Sequence, residues 1–115
     1  MSSKSFKTVT QDLSKGLAQF RATVPDVQAG FSALHQASMK AGALDAKTKE
    51  LIALGIGVAA RCDGCIGFHV QALIKLGVTK EELAEMLGVA VMMGGGPSLM
   101  YAGETMRAFE EFSTK

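Results

Sequence analysis

Both cysteines of the chain and one of its two histidines fall within Arg61-Cys62-Asp63-Gly64-Cys65-Ile66-Gly67-Phe68-His69. On a helix, residues three and four apart are neighbours, so Cys62 faces Cys65 and Cys65 faces His69. A thiol is a weak nucleophile until it loses its proton, and both a helix N-terminus and a nearby imidazole promote that loss. The Cys-x-x-Cys spacing then lets one thiol attack whatever forms on the other, a sulfenic acid or a mixed disulfide, before further oxidation. The stretch reads as a redox site. Residue chemistry alone leaves the attacking thiol open: Cys62 lies nearest the helix end, whereas Cys65 adjoins His69.

A third group can join them. Glu50 is the only carboxylate of the preceding helix that can reach the cysteines' neighbourhood, because Leu51 to Ala60 carries no charge. From Glu50 to Arg61 that helix spans about 17 Å, so Glu50 is remote from Cys62 along its own axis. If the next helix folds back antiparallel, Glu50 comes level with the turn that holds His69, and a Glu–His–Cys relay becomes geometrically available. Taken alone, Glu50 would read as a first-turn carboxylate stabilised by the helix dipole. Other uses of the thiols are core packing and a zinc site of Cys62, Cys65 and His69 with Glu50 or His35. Structural zinc sites usually draw their second ligand pair from a separate element, so thiol chemistry without a metal or cofactor is preferred. His35, beside Gln36 and Ser38, reads as a solvated surface residue.

The elements that must hold these groups are helical. Phe6, Val9, Leu13, Leu17, Phe20 and Val24 step by three or four, which makes the apolar stripe of a first helix. Pro25 ends it and opens a second, where Val27, Phe31 and Leu34 repeat the spacing up to about Lys40. After the link Ala41–Leu44, Asp45 caps a third helix that runs from Thr48 to about Ala60. Its second half is apolar on every side, which predicts enclosure by neighbours or by another subunit, and Gly55 and Gly57 allow close backbone packing. The fourth helix starts at the cysteines and continues through Val70, Leu73, Ile74 and Leu76 to Gly77. Thr79-Lys80-Glu81-Glu82 is a capping box between Val78 and Leu83, and it opens a fifth helix that runs to about Met93. After the Gly94-Gly95-Gly96-Pro97 turn, a sixth helix carries Leu99 to about Phe112. The prediction is an all-α, oligomeric bundle of about six helices in one domain, 1–115. Met86, Met92, Met93, Met100 and Met106 read as core filler in preference to pocket lining. Tyr101 suits either packing or the site. The glycine run is no phosphate cradle, since no strand precedes it and no Lys follows in the P-loop pattern.

Composition narrows the partners. Of 115 residues, 48% are apolar but only 6% aromatic, with seven Met and no Trp, a palette suited to helices. Twelve basic against eleven acidic residues give a net charge of +1, too small a field for nucleic acid. Met86 to Gly103 is uncharged and approaches membrane-spanning length, but the glycine run and Pro97 cut it in two, so no membrane span is expected. The segment Met1–Lys7 leads into no apolar signal region, which predicts a cytoplasmic protein. There, two cysteines seldom serve as a structural staple.

Glu50, Cys62 twelve positions on, then Cys65 and His69 match the motif of the alkylhydroperoxidase D-like proteins of the carboxymuconolactone decarboxylase family. The stretch from about Leu44 to Tyr101, glycine run included, also resembles that family, while the first forty residues add only helical character. The resemblance implies an all-helical fold that forms trimers or hexamers. It implies reduction of hydroperoxides, with electrons from a protein dithiol or lipoyl partner. Cys65 would attack the peroxide, Cys62 would resolve the product, and Glu50 and His69 would relay the proton. Relatives nearest the peroxidase often have a histidine between the cysteines, where this chain has Asp63-Gly64. Two alternatives accompany this reading: a lactone-acid lyase of the same fold, for which no Arg cluster is evident, and a non-enzymatic, zinc-binding oligomeric module.

Overall fold

Most helices of this chain start at a residue whose side chain takes up the free N–H groups of the first turn. The computed structural model describes residues 4–114, so Met1–Ser3 of the polar N-terminal segment lie outside the described residues. Helix α1 (Phe6–Thr23) starts at Ser5, whose side chain accepts from the Thr8 N–H. Helix α2 (Pro25–Met39) opens on its proline. Asp45 caps α3 (Ala46–Ala59) by accepting the Thr48 N–H at 2.7 Å, so the helix starts at once, two residues before Thr48. Helix α4 (Asp63–Lys75) starts at Cys62, and α5 (Lys80–Gly94) starts at Thr79 with both hydrogen bonds of the capping box formed. Helix α6 (Gly96–Ser113) begins three residues earlier than the sequence suggests. Gly95 alone makes the break at φ +77°, and Pro97 fits a first turn, where its missing N–H costs nothing. The described residues form six helices and no strand, an all-α fold.

Helices α3 and α4 run antiparallel, since Glu50 meets His69 near one end of the pair and Gly57 meets Cys65 near the other. Their facing residues, Leu54 and Val58 against Ile66, Val70 and Leu73, are buried together with Leu83 and Leu87 of α5 and Ala102 and Ala108 of α6. Helix α1 lies on α4 at two glycines: a Cβ on Gly64 would stand 2.5 Å from Leu13 Cδ1, and one on Gly67 2.5 Å from Thr10 Cγ2.

One pair of apolar stripes is only partly covered, and one expectation is corrected. The α1 stripe is buried at Phe6, but Leu13, Leu17 and Phe20 are 41–47% exposed, and Val27, Phe31 and Leu34 of α2 are 58–63% exposed. Periodicity identified the helices, yet within one chain little packs over the outer part of this hairpin. Among the methionines, Met86 and Met106 pack against the core, whereas Met92, Met93 and Met100 are exposed because the α5–α6 corner stands clear of it. No helix among the described residues is long and apolar enough to cross a membrane.

One carboxylate of α6 gathers three donors from the N-terminal segment. Glu111 accepts from the Ser5 hydroxyl at 2.5 Å and from the backbone N–H groups of Phe6 at 2.9 Å and Lys7 at 3.2 Å. These donors, the Ser5 hydroxyl first, hold its carboxyl below the usual Glu range. A depressed carboxyl pKa adds stability above the unfolded value, and that stability is lost as pH falls through the folded one. Glu111→Gln should therefore lower stability at neutral pH by about 1–2 kcal/mol, allowing for solvent screening. The deficit should shrink below about pH 4, as chemical denaturation at several pH values would show.

Candidate active site

The reversal between α3 and α4 fixes the first cysteine from both sides. Arg61 adopts φ +58°, the left-handed conformation usually taken by glycine at a helix end, at a cost of about 1 kcal/mol. Around it the Cys62 N–H donates to the Gly57 carbonyl at 3.0 Å and the Arg61 N–H to the Val58 carbonyl at 3.1 Å. This pair of bonds terminates α3. Cys62 then caps α4, its Sγ accepting the Cys65 N–H at 3.1 Å, in a place where side-chain oxygens are the rule. The sulfur thus sits at the positive end of the α4 dipole, which favours a thiolate.

Cys62 and Cys65 are joined by a disulfide, with their Cα atoms 5.2 Å apart. Both are half-buried. Behind Cys65 the α3 backbone passes at Gly57, where an added Cβ would stand 2.8 Å from the Cys65 Cβ. Any larger residue would push α3 off the second sulfur.

One turn along α4, His69 Nδ1 lies 2.6 Å from Glu50 Oε2. Glu50 is buried, 8% exposed, while the His69 side chain keeps 22% exposure. An ionised carboxylate can only accept, so Nδ1–H donates, and a neutral imidazole then carries its lone pair on Nε2. The four residues singled out in the sequence therefore form two joined pairs on the α3–α4 hairpin, a disulfide and a Glu–His hydrogen bond. The arrangement can store two electrons and move a proton beside them.

The remaining candidates fall elsewhere. His35 sits exposed on α2. No group of three His, Cys, Asp or Glu side chains among the described residues is placed to hold a metal ion. Tyr101 packs half-buried against the core, its ring 5.9 Å from the Lys4 ammonium. An apolar groove of about 400 Å³ lies between α3 and α5, lined by Ile52, Ile56, Met86, Val89 and Met93 among others. At 100° per residue these α3 positions point away from Glu50, so the groove is not the wall of the disulfide site.

Sequence reasoning missed Lys4 and Asp63. Lys4 Nζ lies 2.8 Å from Asp63 Oδ2, a contact across fifty-nine positions that no local pattern signals. That hydrogen bond, ahead of an opposing effect of burial, raises the Lys4 ammonium above its ordinary pKa.

A family model and two solved structures name the same family. A family model, that of the carboxymuconolactone decarboxylase family, matches residues 25–111. The chain is similar to the crystal structure, in its apo form, of a carboxymuconolactone decarboxylase family protein from Legionella pneumophila. Identity is 60% and the TM-score 0.93, covering 95% of this chain and 97% of that one. It is also similar to a crystal structure of a family protein from Thermotoga maritima, at 30% identity and TM-score 0.74, covering 94% of this chain and 89% of that one. For that protein a possible role in antioxidative response has been described. An uncharacterized protein of Cupriavidus necator is 33% identical over 104 residues, 90% of this chain and 92% of that protein.

Proposed function

The chain belongs to the carboxymuconolactone decarboxylase family, and from that premise we propose that it is a thiol-dependent peroxidase that reduces hydroperoxides with Cys62 and Cys65. The observation that carries the reading is the 2.6 Å bond between Glu50 and His69, one helical turn from the disulfide. The antioxidative role described for the Thermotoga relative supports it.

In the reduced protein the Cys65 thiolate attacks one peroxide oxygen, the S–O bond forms as the O–O bond breaks, and the alcohol leaves with a proton. His69 moves that proton through Nε2 while Glu50 holds Nδ1 and stabilises the imidazolium. The Cys62 thiol, giving up its proton, then attacks the Cys65 sulfenic acid, the S–O bond breaks, that proton and the hydroxide leave as water, and the disulfide seen in the structure results. A protein dithiol or lipoyl partner returns two electrons by thiol–disulfide exchange. The same half-reaction serves a disulfide oxidoreductase, with a substrate disulfide in place of peroxide: the thiolate attacks one of its sulfurs, and the substrate leaves as two thiols once the Cys62–Cys65 bond closes. A lactone lyase has no use for the cysteine pair.

The reading includes self-association, to a trimer or hexamer, and a cytoplasmic setting. The exposed apolar side chains Leu17, Phe20, Phe31 and Leu34 of the α1–α2 hairpin support self-association, since a monomer would leave them wet.

Anaerobically reduced protein given one equivalent of alkyl hydroperoxide should lose two free thiols per chain and gain one internal disulfide, read by thiol titration and intact mass. Thiols that persist overturn the proposal.

A further inference from the structure

The Cys-x-x-Cys segment encloses a carboxylate that the cycle above does not use. Asp63 directly follows Cys62 and occupies the first turn of α4. Its Oδ1 is buried without a hydrogen-bond partner, so the charge is met on the other oxygen alone, by Lys4 Nζ at 2.8 Å. Uncompensated, a carboxylate beside Cys62 would oppose the thiolate that the helix end favours.

Lys4 is held for this contact. The Arg107 guanidinium donates to the Lys4 carbonyl at 2.8 Å, the wholly buried Phe6 anchors the next turn, and Glu111 binds the backbone N–H groups of Phe6 and Lys7. The ammonium stands 5.7 Å from the centroid of the Phe6 ring and 5.9 Å from that of Tyr101. The other acid within reach, Glu104, is farther from Lys4, at 3.7 Å, and is bound by Arg107 at 2.8 Å, which leaves Lys4 directed at Asp63.

We propose that Lys4 and Asp63 are positioning residues that set the reduction potential of the Cys62–Cys65 pair: the N-terminal segment delivers Lys4 onto Asp63 and thereby removes the carboxylate's opposition to the Cys62 thiolate. This rests on the pair cycling between dithiol and disulfide. Reduction by dithiothreitol breaks the Cys62–Cys65 bond and puts two electrons on the sulfurs, and the reagent closes to its own cyclic disulfide. Its two protons go to the cysteine sulfurs or, where a thiolate forms, to water. Whatever stabilises the thiolate therefore favours the reduced form.

The test equilibrates full-length protein anaerobically at pH 7 in mixtures of reduced and oxidised dithiothreitol and reads the dithiol fraction by alkylation and mass. Lys4→Met should shift the equilibrium about tenfold toward the disulfide, equivalent to about 30 mV for a two-electron couple. Lys4→Arg should stay near wild type. Asp63→Asn should shift it toward the dithiol, and in that background Lys4→Met should add little. Alkylation rate against pH should show the same order, a readout that a purely structural tether would leave unmoved. Equal shifts from Lys4→Met in both backgrounds, or none in either, overturn the inference while wild type still cycles. A wild-type pair that cannot be reduced and re-formed overturns the redox reading and this inference with it.

Discussion

Cys65→Ser is expected to abolish the first oxidation by peroxide, a fall on the order of 10³-fold or more, because a serine hydroxyl beside His69 is far too weak a nucleophile to replace a thiolate. Cys62→Ser should instead preserve one turnover. A serine hydroxyl is itself a good N-cap for α4, so the helix start that Cys62 Sγ now caps should persist in that variant. The remaining Cys65 can form a sulfenic acid, but nothing within the chain resolves it. Stopped-flow peroxide consumption, with a sulfenic-acid trap and mass detection, separates the two: one adduct per chain from Cys62→Ser and none from Cys65→Ser. The reverse pattern would reverse the roles. That outcome has a physical basis, since Cys62 takes the cap position at the α4 N-terminus, where an anion is most favoured. The assignment to Cys65 follows the family resemblance, and its place one turn from His69, where the departing alkoxide needs its proton, is compatible with it.

Local rules made the site legible in proportion to how local its parts are. The caps at Asp45 and Thr79 and the helix start at the cysteines each depend on fewer than five consecutive residues, and each occurs where the sequence predicts it. The Glu50–His69 contact needed one further step, that two helices joined by a three-residue turn return antiparallel, and Arg61 in the left-handed conformation makes that return. Coverage was not legible. The α1 stripe has the right period for a buried face, yet period says only that a face is apolar, and Leu17 and Phe20 find little of the chain over them. The exposed Met92 and Met93 fail for the same reason. The Lys4–Asp63 pair lay beyond reach because its geometry is set by the docking of residues 4–7 on α6 through Arg107 and Glu111, a long-range fit that no motif encodes.

Glu50→Gln should lower the rate of the peroxide step by about 10²-fold, the lower end of what general acid–base catalysis contributes. The substitution nearly preserves shape: the amide oxygen can still accept the His69 Nδ1–H over the same 2.6 Å contact, so ring orientation need not change. What goes is the negative charge that stabilises the imidazolium formed when Nε2 takes a proton. Stability should hardly fall, because a largely buried carboxylate is exchanged for a neutral group that carries a smaller desolvation cost. A rate loss of that size with an unshifted unfolding midpoint would place Glu50 as a positioning residue acting through His69. An unchanged rate would leave the Glu50–His69 bond a packing feature. His69→Gln should cost at least as much as Glu50→Gln, and the double variant should be no slower than His69→Gln alone. Two residues that act as one unit lose their function once, whereas independent effects would multiply and would show Glu50 reaching the chemistry by another route.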